Sequence, residues 1–423
     1  MSIVQELLQG TVLPRMVKIR QKFTTTEISD VEAFLRQEFK KPGVGDRIKA
    51  GMSIAVAVGS RGLNQLPTLV RVTVEEIKAR GGNPFIVPAM GSHGGATAEG
   101  QQELLAHLGI TEESANCPIR SSMEVVELGK LENGLAVHMD KNAYEADGIV
   151  IINRIKPHTA YRGPCESGLA KMLTIGLGKQ KGAASCHAYS FKHMAEFVFE
   201  MAKMKIEKSK VLFGIATVEN AYDKISTLVA APRDQIMEID QKLLLEAKDK
   251  MPKIMFDSID VLVVDQIGKE ISGDGMDPNI TGRFPTPYAS GGATVNKLVI
   301  RDLTEETHGN ASGMGVGDYI TRRLFNKIDF NYVYANSLTN TITEPAKIPI
   351  IMETDRDALL AAVKTCNAQN LTWVKMVRIK DTLHLQDLYI SEALLDEARR
   401  NPNIEICGEL VEMQFDVEGN LLG

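Results

Sequence analysis

An α/β fold is what this sequence predicts, and three observations predict it. Short β-branched runs alternate with helical patterns, the strand–loop–helix unit repeats, and the unusual residues fall just after the strands. Repeated units of this kind imply parallel strands joined by right-handed crossovers. With 423 residues the chain is longer than one ordinary core, so two α/β domains are expected.

SIAVAV (Ser53–Val58) reads as a buried strand, and the loop GSRGLNQ after it carries Arg61. Leu69–Gly82 is a helix closed by glycine. Pro84–Met90 is the next strand, and its loop GSHGGAT carries His93. Glu99–Ile110 is an amphipathic helix, again ending near a glycine. Asp147–Ile155 is a strand that leads into NRIKPHTAYRGPCESGLAKMLTIGLGKQKGAASCH, which holds His158, Lys171 and His187. Arg61, His93 and His158 all follow the carboxyl ends of predicted strands, the edge where open α/β sheets bind ligands.

Arg233–Lys250 is a long charged helix, followed by Pro252 and a fresh strand at Ile259–Ile267. The boundary falls there: residues 1–255 form an N-terminal α/β domain and 256–423 a C-terminal one, with the active site expected in the cleft between them. In the second part KLVIRDL, NKIDFNYVYAN and IPIIMET read as strands, and RDALLAAVKTC and SEALLDEARR as helices. The loop DQIGKEISGDGMDPNITGR supplies Gln266 and Lys269, and its SGDGMD turn does not match a calcium loop.

Composition narrows the partners. Apolar residues make up 44% and charged ones 24%, which is ordinary for a soluble protein. A net charge of −6 gives no electrostatic reason to expect nucleic acid or an anionic membrane. Five scattered cysteines without a CxxC pair argue against a zinc ribbon and for a reducing compartment. No long apolar run marks a membrane span or a secretory leader, so the cytoplasm is expected.

The chemistry lies in the loops. A guanidinium such as Arg61 suits a carboxylate, although a solvated surface arginine reads the same way. His93 sits among glycines and polar residues rather than on an apolar face. A lysine amine can form a covalent bond to a cofactor, and an imidazole can bind metal or move a proton.

These segments together resemble the nickel-pincer-nucleotide lactate racemases and their hydroxyacid racemase and epimerase relatives. In that family a lysine holds the pincer cofactor covalently, and a histidine sixteen residues later ligates nickel; Lys171 and His187 are sixteen apart. GSH with His93 is similar to the family's G-T-H acid/base motif, and His158 takes the place of its second acid/base histidine. Arg61 looks like the substrate arginine. Gln266 and Lys269 resemble the Gln and Lys, three apart, that contact substrate or cofactor. The resemblance implies a nickel-pincer nucleotide (nickel pyridinium-3,5-bisthiocarboxylic acid mononucleotide) on Lys171, cofactor biosynthesis proteins as partners, and racemisation or epimerisation of a 2-hydroxy acid by hydride transfer.

The chain departs from the family in places. Val58 stands where the family has Asp, and Trp373, the sole tryptophan, does not match the one that shapes the lactate pocket. The His158–Lys171 segment is three residues longer, reading TAYRGPCESGLA. There Arg162, as a second carboxylate contact, with the hydroxyls of Tyr161 and Ser167, suits a malate-like or sugar-acid substrate. The competing reading is a lyase or dehydratase on the same scaffold, without covalent cofactor.

Overall fold

The computed structural model describes residues 2–423. It divides into two compact units, Thr24–Met251 and a second made of Met1–Phe23 with Pro252–Gly423. Both are α/β. This differs from the expected 1–255 and 256–423 division at its start. The first strand, β1 (Met16–Gln21), is a strand of the second unit, paired antiparallel with Asp387–Ser391 and Ile404–Ile406. That pairing buries Met16, Val17 and Ile19, which would otherwise face water. Nothing local in the sequence specifies so distant a partner.

The Thr24–Met251 unit holds β2 (Ser53–Val58), β3 (Asn83–Pro88), the hairpin β4 (Val125–Lys130) and β5 (Ala136–Asp140), then β6 (Gly148–Arg154), β7 (Val211–Glu219) and β8 (Ile225–Pro232). Its five-stranded sheet runs β3-β2-β6-β7-β8, parallel except for the final antiparallel pair. β2, β3 and β6 are almost wholly buried, as continuous β-branched runs in a covered parallel sheet should be. The helix Leu66–Ala79 buries Leu66, Leu69, Val70, Val74 and Ile77 on the sheet at helical spacing. β3 lies on one side of β2 and β6 on the other, so the connections diverge there. Such a switch point at the carboxyl edge is where open α/β sheets bind ligands.

The other unit adds β9 (Ser258–Ile267), β10 (Thr294–Leu303), β11 (Tyr319–Thr321), β12 (Ile350–Met352), β13 (Met376–Ile379), β14 (Asp387–Ser391) and β15 (Ile404–Ile406). Its sheet order is β12-β11-β10-β9-β13-β14-β1-β15, parallel from β12 to β13 and antiparallel beyond. The segment NKIDFNYVYAN, expected as a strand, is instead the start of a helix, Phe330–Asn340. Asp329 caps it by accepting the Asn331 N–H, and Val333 and Ser337, four apart, turn inward. Its alternating aromatics imitate period two, but Tyr332 and Tyr334 are exposed.

A buried ionic hub ties this sheet to its covering helix. Arg301 donates to Asp265 at 2.7 Å, to Asp355 at 2.7 Å and to the Leu421 carbonyl at 3.0 Å. Arg323 and Arg378 close the network on the far sides of the two carboxylates. Removing one member of such a cluster strands a buried charge. Arg301→Met is expected to lower the stability of this unit by about 3–5 kcal/mol in urea unfolding; a loss under about 1 kcal/mol would refute the hub's role.

Candidate active site

β6 delivers the chain to the carboxyl edge at Arg154, and the loop that follows is built to hold its shape. Lys156 and Ser167 exchange backbone hydrogen bonds at 2.8 and 3.1 Å, closing the neck of the loop. Inside it lies Glu166, fully buried. Its carboxylate accepts the His158 N–H at 2.7 Å, the Gly163 N–H at 3.4 Å, Arg162 Nη1 at 3.3 Å and Lys248 Nζ at 2.7 Å. A buried carboxylate with this many donors is matched in charge and in hydrogen bonds, which is what makes its burial tolerable.

Lys171 ends the short turn Leu169–Lys171. The carboxylate of Asp240, from the helix Ile236–Lys250, accepts the Ala170 N–H at 2.9 Å and also holds that of Leu169. Those amides have no helical acceptor, because they open the turn. Asn153 donates to the Gly168 carbonyl at 2.8 Å, securing the preceding residue. A single π turn, Met172–Gly176, follows Lys171, and such turns gather at functional sites. Lys205, fully buried, donates to the Leu173 and Thr174 carbonyls that this turn leaves open, at 2.7 and 3.0 Å. Burial pushes the Lys205 ammonium down to about 7. The helix Lys179–His187 then carries the chain to His187.

Lys171 Nζ stands 2.7 Å from His158 Nε2. The other ring nitrogen of His158, Nδ1, accepts the Ala160 N–H at 3.0 Å. The ring lies 4.4 Å from Tyr161 and 5.9 Å from Phe191, centroid to centroid. Burial first, and then nearby positive charge such as that of Lys156 and Arg162, holds His158 well below its ordinary range, so it is neutral. His187 meets the same Phe191 ring edge-on at 5.5 Å. Its Nδ1 faces the Ala183 carbonyl at 2.8 Å, and a carbonyl can only accept. Nδ1 therefore bears the proton, and Nε2 keeps its lone pair. Burial lowers the His187 pKa and keeps the ring neutral. A neutral imidazole whose other nitrogen is fixed by a carbonyl is the form in which histidine ligates a metal.

His93 and Arg61 lie on the neighbouring loops, after β3 and β2. His93 Nδ1 is hydrogen-bonded to Ser60 Oγ, and both His93 and Arg61 are exposed. The His93 loop packs on the π turn: Gly91 N–H donates to the Gly176 carbonyl at 3.1 Å. Gly91 has φ +58°, and a Cβ there would meet Ile175 at 3.0 Å. Only glycine combines that backbone with that approach. Gln101 anchors the loop by donating to the Gly91 and His93 carbonyls at 2.9 and 3.2 Å. Lys179, itself fully buried, donates to Gln101 Oε1 at 2.8 Å and to the Pro88 carbonyl at 2.5 Å.

Six of the expected residues, Arg61, His93, His158, Arg162, Lys171 and His187, thus belong to one unit. Gln266 and Lys269 belong to the other, where Lys269 Nζ donates to the Gly273 carbonyl at 2.6 Å. Arg162 Nη1 is turned to the loop's own His158 and Tyr161 carbonyls, at 2.6 and 3.3 Å, as well as to Glu166. The Tyr161 hydroxyl, expected to serve substrate, is instead buried and donates to the Glu166 carbonyl at 2.9 Å. Sequence reasoning missed Glu166, Asp240, Lys179, Lys205 and Phe191. Their only sequence signal is a charged or bulky residue within a Gly-rich or amphipathic run. Among the described residues no three His, Cys, Asp or Glu side chains group as a metal cluster. His187 Nε2 is the nitrogen that could hold a metal here, and Lys171 the amine that could hold a cofactor.

Asp240 gives a pH dependence that tests this scaffold. Burial pushes its carboxyl up to about 6, against the opposing Ala170, Leu169 and Cys165 hydrogen bonds. The unfolded chain ionises it near pH ~4, so its contribution to stability is fully present below that value. It is lost as pH rises through 6, a change on the order of 3 kcal/mol. The difference in unfolding free energy between the wild type and Asp240→Asn should therefore shift by that amount between pH 4 and 7. A difference that stays level across this range would refute the assignment.

Residues 3–198 match the family model of the lactate racemase N-terminal domain. A comparison with curated protein sequences gives no significant match. Among solved structures, the lactate racemase apoprotein from Thermoanaerobacterium thermosaccharolyticum is similar, at 13% sequence identity and a TM-score of 0.45, over 87% of this chain and 88% of that one. The matched span contains Arg61, His93, His158, Lys171 and His187. Over residues 3–198, then, the chain is similar to the N-terminal domain of lactate racemase.

Proposed function

We propose that this protein is a racemase or epimerase of a 2-hydroxy acid that works with a nickel-pincer nucleotide joined to Lys171. One observation carries the reading: Lys171 Nζ lies 2.7 Å from His158, and His187, which shares the Phe191 contact with His158, keeps a lone pair on Nε2. The donor set fits the cofactor. A lysine amine suits covalent attachment, and a single neutral imidazole suits a square-planar nickel whose other ligands come with the cofactor. When bound, that group supplies the acceptor and donor of hydride.

The chain's own residues bind substrate and handle its proton. Arg61 pairs with the substrate carboxylate. His93, exposed beside Ser60, takes the hydroxyl proton. His158 serves the opposite face. For Nε2 to accept a proton, the Ala160 N–H···Nδ1 bond must open and the ring must carry its proton on Nδ1. Arg162 acts by holding the His158 loop through Glu166. Cofactor biosynthesis proteins load the chain in the cytoplasm. Four of the five cysteines are buried free thiols, as a reducing compartment allows, and no helix among the described residues is long and apolar enough to cross a membrane.

Co-production with the cofactor biosynthesis enzymes, followed by intact mass and metal analysis, tests the reading. Wild type should carry an adduct on Lys171 and one nickel, and should racemise or epimerise a 2-hydroxy acid. Lys171→Ala should lose adduct and activity together. His187→Ala should keep the adduct and lose nickel affinity by at least about tenfold. Full activity in Lys171→Ala would refute the proposal.

A further inference from the structure

We infer that, before any cofactor is attached, His158 holds Lys171 as a free amine whose lone pair accepts the imidazole Nε2–H, making Lys171 a selectively reactive nucleophile toward acyl-type carbon. The inference rests on the reading of Lys171 as the attachment point and adds how this chain prepares it.

The geometry follows from one fixed proton. The Ala160 backbone N–H points at His158 Nδ1 from 3.0 Å, and a backbone amide can only donate. Nδ1 must therefore be the bare nitrogen, and in a neutral imidazole the proton then sits on Nε2. That proton faces Lys171 Nζ at 2.7 Å. An ammonium has three donors and no acceptor, so a hydrogen bond of that length requires the amine form. The loop cannot easily turn the ring over. Glu166 grips the His158 N–H at 2.7 Å, and Tyr161 packs along one side of the ring. The other charged groups acting on His158 are Lys156, Arg162 and His187. Of these Arg162 is a permanent cation; the nearby Glu166 carboxylate is shared among Arg162, Lys248 and two backbone amides, and like charge disfavours a further ammonium there. Cys186, in the helix that follows, is a buried thiol pushed up to about 12 and supplies no anion to oppose this.

The step is ordinary acyl transfer. The Nζ lone pair leaves the Nε2–H and attacks the electrophilic carbon, and a C–N bond forms. The bond from that carbon to its leaving oxygen or sulfur breaks, and the leaving atom carries off the electron pair. The proton released from Nζ passes to solvent, and His158 remains neutral. After attachment Nζ is an amide-type nitrogen with no free lone pair, so the Nε2–H is released to face substrate.

Acetic anhydride serves as the probe. The full-length protein, made without the cofactor enzymes, is labelled in trace amounts between pH 6 and 11, and acetylation at Lys171 and at exposed Lys40 is read by peptide mass spectrometry. Half-maximal labelling of Lys171 is expected at a lower pH than that of Lys40. His158→Ala should reduce Lys171 labelling at pH 7 by roughly tenfold, the change that a shift of one pH unit produces. His158→Gln, whose amide N–H can replace Nε2–H, should restore most of it. Labelling of Lys40 should not change in either variant, and the fully buried Lys179 should stay unlabelled in both, which reports that the fold is intact. A Lys171 profile that coincides with Lys40, or one unaffected by His158→Ala, would overturn the inference. This outcome is separable from the proposed function: a chain that accepts the cofactor adduct but labels like Lys40 loses only the role of His158, whereas early labelling without an adduct leaves that role standing and removes the cofactor.

Discussion

The carboxylate of Asp240 beneath the turn at Leu169–Lys171 is the contact on which the site depends. A helical turn begins with amides that have no helical partner. Here they are buried, and water cannot serve them. Asp240 accepts them from a different helix, so the orientation of Lys171 is set by the packing of Ile236–Lys250 on the sheet rather than by the turn itself. Lys205 does the complementary work one turn later, at the carbonyls left open by the π turn. A carboxylate at the start and an ammonium inside clamp the backbone that presents the Lys171 side chain.

The same principle, a buried charge spent on backbone, recurs around each functional group. Glu166 fixes the His158 loop through one backbone amide at its start and another at Gly163. Lys179 and Gln101 fix the His93 loop through carbonyls at Pro88, Gly91 and His93. These groups stay ionic or polar in the interior because each is matched by partners, and removing one partner leaves the other costly. Such networks specify one loop conformation, where apolar packing alone would tolerate several.

The placement of the loops comes from the sheet. β2, β3 and β6 are parallel neighbours, so the chain leaves all three at the same edge, and β2 lies between the other two. Gly91 lets the loop after β3 close onto the π turn; a Cβ there would meet Ile175 at 3.0 Å. Loop residues can be precise here because their supports are strands and buried charges rather than solvent-exposed turns.

By itself the sequence determined the α/β class, the strands Ser53–Val58 and Ile259–Ile267, and which loop side chains are candidates for chemistry. Those features are local: β-branched runs, glycines after strands, and the spacing of Lys171 and His187 along one stretch of chain. Tertiary structure alone decided that β1 serves the second unit, that NKIDFNYVYAN begins a helix, and that Tyr161 and Arg162 are bound into the His158 loop. It also brought Asp240 to Ala170, seventy residues away. Each of these depends on a partner remote in sequence. A residue's chemistry is written in its own side chain, but whether that side chain serves the substrate or the scaffold is settled by what packs against it.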